Sequence, residues 1–320
     1  MRRDSQNVPG RSTVLAIVGP TAVGKSELAL EVAGEIPAEI VSIDSVQIYR
    51  QMDIGSAKPP AEALARVPHH MIDVADPEEA MSVADFRQMA RTAIAEILQR
   101  QRVPLLVGGS GLYFRSVVDP LEFPATDPRV RAVVQQQADD EGAETLHERL
   151  KQLDPAAALR IEPENVRRTV RALEVIELTG RKFSEFREAW DEYESIYSLK
   201  VAGLTLPKEE LNRRIDERVD ELIASGLVDE VETLIGAGLK DSLTSRQALG
   251  YAQLLDHLDG KISLGEAIAE IKRKTRRFAR RQLNWFKADP RVRWFEGDRE
   301  GARRFLVEEL IGAMSVKGSR

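Results

Sequence analysis

The sequence is 320 residues long, 42% hydrophobic and 31% charged, with a formal net charge of −6 and no cysteine. That length accommodates one large or two ordinary domains with a real core, and the missing thiols exclude disulfides, thiolate metal sites and cysteine nucleophiles. Four scattered histidines (His69, His70, His147, His257) give no metal-ligand spacing, no apolar run reaches the ~18 residues of a membrane span, and the acidic balance argues against a generally basic nucleic-acid coat without excluding local patches.

Residues 1–12 (MRRDSQNVPGRS) lack the apolar stretch of a signal peptide and are expected to form a frayed polar tail on a soluble cytoplasmic protein. Thr13 to Val18 (TVLAIV) is apolar without polar alternation, which predicts a parallel strand buried on both faces. It leads into Gly19-Pro20-Thr21-Ala22-Val23-Gly24-Lys25-Ser26, a G-x-x-x-x-G-K-[ST] match, and then into a helical pattern from Ser26 to Glu35. Between a strand and a helix, the glycines let successive backbone N–H groups point at phosphate oxygens. The helix adds its positive end, Lys25 a point charge, and Ser26 a hydroxyl suited to magnesium. These parts recognise a polyphosphate, not ATP as such.

Ala38 to Ile43 predicts a second buried strand, ending in Asp44-Ser45-Val46-Gln47-Ile48-Tyr49-Arg50. Ligands of open α/β sheets bind beyond the carboxyl ends of the strands, so this cluster belongs to the same rim as the phosphate loop. Local pattern leaves Asp44 open between acting on the ligand and merely capping the next segment. Met52 to Pro60 is loop-like, and its Asp53 and Lys58 read as solvated loop charges. His69 to Val74 is a third strand, Ser82 to Arg100 an amphipathic helix capped by Ser82, and Val103 to Val107 a fourth strand running into Gly108-Gly109-Ser110-Gly111-Leu112-Tyr113-Phe114. Those glycines suit either close backbone approach at the rim or a tight turn. No strand ends in a Walker-B-like acid followed by a switch region, and no kinase signature set is present.

From Ala125 to about Glu194 the pattern is helical and charged, and Ser198 to Leu206 returns to strand. The predicted fold is α/β: a P-loop NTPase-like parallel sheet flanked by helices (residues 13–123 and 195–320) with an all-helical insertion domain (residues 124–194). In the insertion, the helix Asn165 to Val175 puts Arg167, Arg168 and Arg171 at face-sharing spacings, open between phosphate contact and a solvated face paired with Glu174. Further helical segments follow at Leu211 to Leu227, with Gly226 as a stop, and at Ser245 to Tyr251. Glu270 to Lys287 interleaves Lys272, Arg273, Lys274, Arg276, Arg277, Arg280 and Arg281 with Phe278, Trp285 and Phe286. In an acidic protein, that concentration of cations beside flat rings favours a nucleic-acid contact over a solvated face. Val292 to Glu296 and Gly301 to Met314 read as a last strand and a closing helix.

In this order GPTAVGKS (19–26), DSVQIYRQMDIGSAKP (44–59), VGGSGLYF (107–114), RRTVRALEV (167–175), RRIDERVDELIASGLVDEV (213–231), RQALGY (246–251) and RRFARRQLNWF (276–286) form a specific set, although the first alone marks only a P-loop. From about Val14 to about Gly312 the chain resembles the bacterial tRNA dimethylallyltransferases, also called isopentenyl-diphosphate:tRNA isopentenyltransferases. The resemblance implies transfer of a dimethylallyl group from dimethylallyl diphosphate to N6 of adenosine 37 beside the tRNA anticodon, with Mg2+ and without ATP hydrolysis, by a monomer away from any membrane. It implies Asp44 as general base, Thr21 against the diphosphate or the base's carboxylate, and Ser110 at a position usually Thr. Lys25, Arg168 and Arg218 would be the cations that meet charge growing on the leaving group. Adenosine 37 must leave its stack to reach such a site. By resemblance the RNA contacts are Asp44, Ser45, Val46, Gln47, Ser110, Arg167, Arg168, Arg171, Arg246, Gln247, Gly250, Tyr251, Arg280 and Arg281. Gln47 is a candidate to read a base edge, and the insertion clamps the anticodon stem-loop. Pro163-Glu164-Asn165 departs from the family's Pro-Asn-Asp, which bears on the helix cap and not on the arginines.

Three other activities are compatible with parts of the sequence. A small-molecule P-loop kinase would use the same loop for ATP, and a prenyltransferase of free adenine nucleotides would share most of the site, but neither needs the basic aromatic helix. A non-catalytic RNA-binding protein would not need Lys25 and Asp44 together.

Overall fold

The computed structural model describes residues 11–187, 190, 192–242 and 244–318; most of the expected tail lies outside them. The chain divides into two compact units, residues 1–119 with 195–320, and residues 120–194.

The first unit begins β1 (Thr13–Val18), α1 (Lys25–Glu35), β2 (Ala38–Ile43), α2 (Ala61–Arg66), β3 (His69–His70), α3 (Val83–Gln99), β4 (Val103–Gly108) and α4 (Gly111–Val118). The second unit contributes α5 (Pro128–Glu141), α6 (Ala143–Leu153), α7 (Pro155–Ala158) and α8 (Val166–Thr179). The chain then returns with β5 (Ser198–Thr205), α9 (Lys208–Ala224), α10 (Leu227–Gly236), α11 (Tyr251–Leu258), α12 (Leu264–Lys287), β6 (Val292–Glu296) and α13 (Arg299–Gly318).

All six strands pair in parallel in the order β3-β2-β4-β1-β5-β6. The central strands lack polar alternation because both faces are covered. Leu15 and Ile17 point into a core shared with Leu28 and Val32 of α1 and Leu306 and Leu310 of α13. Val14, Ala16 and Val18 point into the opposite core, with Phe86, Ile94, Phe114 and Phe286. The third strand is shorter than the pattern predicts. Met71 and Asp73 take positive φ (65° and 54°), which turns the chain out of the sheet after His70.

Lys58 also differs from expectation. Its side chain is only 6% exposed, and its ammonium donates to the Tyr49 carbonyl and to Asp53 and Asp73, each at 2.6 Å. It is a clamp on the loop after β2 and not a solvated charge.

The helical unit has its own core of Val134, Leu146, Leu150, Val170 and Leu173. Asp127, Asp154 and Asn165 cap α5, α7 and α8 by accepting from Arg129, Ala157 and Arg168 backbone N–H groups, so Asn165 supplies the cap where the sequence departs from the family pattern. The buried Glu174 carboxylate accepts from Arg171, Arg131 and the Asp127 N–H. Burial opposes its charge, yet those bonds hold it below the usual carboxylate range.

Candidate active site

Val18, Gly108 and Ile43 are aligned across β1, β4 and β2. The phosphate loop, the Gly109-Ser110 turn and Asp44 therefore leave the sheet in one row, with neighbouring strands about 4.8 Å apart. At the loop, Gly24 takes φ 93° and ψ 23° and α1 starts at Lys25. A left-handed backbone there is what only glycine adopts cheaply, and it aims the first, unpaired N–H groups of α1 outward. Ser26 is exposed in that first turn, its hydroxyl without a hydrogen-bond partner among the described residues.

Three charges meet behind the loop. The Lys25 ammonium donates to the Pro20 carbonyl at 2.6 Å. Burial first and the nearby Arg218 guanidinium second lower it to about 7, against the opposing pull of Asp44. Arg218, on α9, is likewise depressed by burial and partly restored by Asp44, Glu221 and Glu27. It has neither a hydrogen bond nor an ion pair among the described residues. Two half-buried cations with no carboxylate clamped to them can receive an anion. Asp44 uses one oxygen, Oδ1, to accept from Val46 N–H at 2.8 Å and Gln47 N–H at 3.4 Å. Its other oxygen is uncommitted among the described residues, so the capping role leaves one carboxylate oxygen free for an acting one.

The rim is closed from an unexpected side. Gln282 of α12 accepts the Thr21 N–H at 3.0 Å, and a Cβ on Gly109 would lie 2.2 Å from its Nε2. Three residues on, Trp285 lies over Gly111, where a Cβ would meet ring atom Cδ1 at 1.9 Å. Close approach of α12 is the reason for glycine at these turns. Ser110 is the N-cap residue of α4, but its side chain caps nothing, leaving the hydroxyl available at the rim. Tyr113, raised to about 12 by burial and by Tyr49 and Asp44 nearby, packs edge-on against Phe86 at 4.5 Å.

Several residues expected at the RNA are placed otherwise. Tyr251 is fully buried and donates its hydroxyl to Glu230 at 2.7 Å, and Gly250 is buried too. Neither side of that pair is open to RNA. Arg171 spends its guanidinium on the Pro124 and Ala125 carbonyls and on Glu174, which makes it a brace. Gln47 accepts from Ser42 Oγ at 2.8 Å and donates to the Ser56 and Ala57 carbonyls, so its amide is engaged within the protein. Ser45 and Val46 are half-buried. Arg167 and Arg168 are exposed on α8 and have no side-chain partner among the described residues. Arg246 is exposed and donates to the Lys240 carbonyl, and Gln247 is exposed.

The basic helix divides in two. Lys272 pairs with Asp220, Arg273 and Lys274 with Glu270, and Arg276 with Asp216. Arg277, Arg280, Arg281 and Lys287 are exposed without an acidic partner among the described residues, beside the exposed rings of Phe278 and Trp285. Only this second half offers charge to a phosphate backbone.

The model of the IPP transferase family matches residues 47–289, which begins just after the phosphate loop and Asp44. Relatives cover those too. A tRNA dimethylallyltransferase of Carboxydothermus hydrogenoformans is 47% identical across 95% of this chain and 97% of its own, and one of Thermobifida fusca is 50% identical across 90% and 91%. The chain belongs to the IPP transferase family. Among solved structures, the full-length tRNA isopentenylpyrophosphate transferase of Bacillus halodurans superposes with a TM-score of 0.70 at 40% identity, covering 96% of this chain and 99% of that one. A eukaryotic dimethylallyltransferase acting on tRNA gives 0.76 at 26% identity, covering 89% and 74%. The family's parallel α/β core is the one found here. No helix among the described residues is long and apolar enough to cross a membrane.

Proposed function

We propose that the chain transfers the dimethylallyl group of dimethylallyl diphosphate to N6 of adenosine 37 in tRNA, releasing diphosphate, in the cytoplasm and as a monomer. The observation that supports this most is the half-free Asp44 carboxylate beside two half-buried cations, Lys25 and Arg218, that have no acidic partner of their own among the described residues. The loop amides and these cations bind the diphosphate. The adenine amino nitrogen is a weak nucleophile because its lone pair is delocalised into the ring. An aspartate with a reference pKa of ~4 cannot ionise it beforehand. The free Asp44 oxygen therefore takes the N6 proton as or after the C–N bond forms, while the C–O bond breaks and its electrons pass to the diphosphate. Lys25 and Arg218 stabilise that charge where it grows.

The site also fits Mg2+. The exposed Ser26 hydroxyl stands at the phosphate loop, and magnesium habitually takes one or two protein ligands with substrate phosphates and water. No cluster of three or more His, Cys, Asp or Glu residues competes among the described residues. When bound there, magnesium would neutralise diphosphate oxygens.

Thr21 and Ser110 flank the diphosphate and the incoming base. Arg280 and Arg281, with Arg277, form the RNA face of the core, and Arg167 and Arg168 that of the helical unit. The test is incubation with Mg2+, dimethylallyl diphosphate and an anticodon stem-loop bearing adenosines 36 and 37, with ATP in a parallel tube, followed by mass spectrometry. A dimethylallyl mass increase dependent on adenosine 37 is expected. ATP consumption without that increase would return the phosphate loop to kinase chemistry.

A further inference from the structure

The loop that follows Asp44 is held from a distance by one carboxylate. Glu230, in the first turn of α10, accepts the backbone N–H groups of Asp53 and Ile54 on Oε2 at 2.9 and 2.7 Å. On Oε1 it accepts the Gly55 N–H at 3.1 Å and the Tyr251 hydroxyl at 2.7 Å. Burial and this bond raise the Tyr251 phenol far above its ordinary value, so it stays a donor. The ring packs so closely that a Cβ on Gly55 would lie 2.5 Å from it. Three consecutive N–H groups converging on one carboxylate leave the backbone no alternative partner.

The held segment is joined to the catalytic turn. The Ser56 and Ala57 carbonyls accept the Gln47 amide at 3.3 and 3.2 Å, Gln47 takes its other bond from Ser42 of β2, and the Val46 and Gln47 N–H groups fix Asp44 Oδ1. The loop also contains left-handed Gln51 and Ala57 (φ 63° and 47°), conformations that non-glycine residues keep only where surrounding bonds impose them.

We infer that Glu230 is a positioning residue for the transfer: by binding the backbone of residues 53–55 it fixes, through Gln47, the turn that aims the free oxygen of Asp44. The inference rests on the proposed activity. Neither Glu230 nor Tyr251 has a hydrogen bond to the phosphate loop, so the role predicts a split between chemistry and diphosphate affinity.

The test compares wild type, Glu230→Gln and Gln47→Ala in single-turnover transfer at saturating stem-loop and dimethylallyl diphosphate, with diphosphate affinity measured by calorimetry. Glu230→Gln keeps shape but turns an amide N–H toward backbone donors. It should slow the single-turnover step by about tenfold or more, as sub-ångström misplacement does, and leave diphosphate affinity within about threefold. The double variant should be no slower than the slower single, because both act on one path. An unchanged rate, a parallel loss of diphosphate affinity, or multiplicative losses would overturn the inference. If Glu230→Gln does not fold, Tyr251→Phe removes one of the four bonds and no backbone partner. It should slow the step by about two- to tenfold at unchanged diphosphate affinity, and an unchanged rate overturns the inference. Wild type inactive in the same assay would instead refute the proposed transfer.

Discussion

Binding of dimethylallyl diphosphate should take up a proton, and Lys25 is where it goes. Burial, with Arg218 adding to it, lowers the free-site ammonium to about 7. At pH 8 only about a tenth of the molecules then carry the charge. A diphosphate against Nζ restores the ammonium toward its ordinary value, so about 0.9 proton should enter per site. The terminal phosphate, with a second pKa near 6, is already ionised at pH 8 and has almost none to give. Charging the lysine costs about 1.4 kcal/mol at that pH, roughly tenfold in affinity, and about tenfold more at pH 9.

Calorimetry without metal, in buffers of different ionisation enthalpy, reads the uptake as the slope of apparent enthalpy. The Lys25→Arg variant, charged at every pH used, should give a slope near zero. A wild-type slope near zero, or the same slope in both proteins, would refute the reasoning. The same depression has a signed effect on stability. Between about 7 and 10.5 the folded protein binds fewer protons at Lys25 than the unfolded chain, so ligand-free stability should rise with pH across that window, with the penalty fully present below it. Melting curves at pH 7 and 9 should show that rise in wild type and not in Lys25→Arg.

Asp44→Ala should abolish transfer while leaving stem-loop affinity within a few-fold in filter binding; normal turnover in that variant would remove Asp44 as the base. Arg280→Ala with Arg281→Ala should weaken stem-loop binding and reduce the slope of log affinity against log salt by about 1.5, two phosphate contacts at roughly 0.7 to 0.9 each. An unchanged slope would take α12 out of the RNA contact. Gly111→Ala places a methyl 1.9 Å from the Trp285 ring and should cost about 1–3 kcal/mol by overpacking, read by urea denaturation. Unaltered stability would mean that α12 shifts easily from the rim.

Much of the core was legible because its signals are local. TVLAIV reads as a doubly buried strand from composition alone, GPTAVGKS specifies both the glycine-rich turn and the helix start, and Ser82 caps the helix it precedes. What stayed hidden depends on partners far along the chain. Lys58 looked like a loop charge because two of its acceptors, Tyr49 and Asp73, lie 9 and 15 residues away. Tyr251 sits in a motif that resembles an RNA contact, and only tertiary packing reveals that its hydroxyl belongs to Glu230. Gln282 reaches Thr21 across 261 residues of sequence, a bond no window of local pattern can contain. Arg171 has the spacing of Arg167 and Arg168, but it alone faces the Pro124 and Ala125 carbonyls.

Net charge misleads in this protein because its cations fall into two classes that a sum cannot separate. Many are paired at the surface, where each ion pair is worth little and leaves no field to attract a ligand. The first half of α12 is of this kind, its four cations paired with Asp216, Asp220 and Glu270. Among the cations without an acidic partner, two groups are placed by the fold. Lys25 and Arg218 are half-buried at the phosphate loop, where desolvation makes a polyanion the natural partner. Arg277, Arg280 and Arg281 are exposed on the helix whose Gln282 binds that same loop. One helix thus ties the cations suited to RNA phosphates to the cradle suited to diphosphate, each fixed before either substrate arrives. A kinase built on the same loop would need only the half-buried pair. The exposed cations beside Phe278 and Trp285 find their use when the acceptor is a nucleic acid.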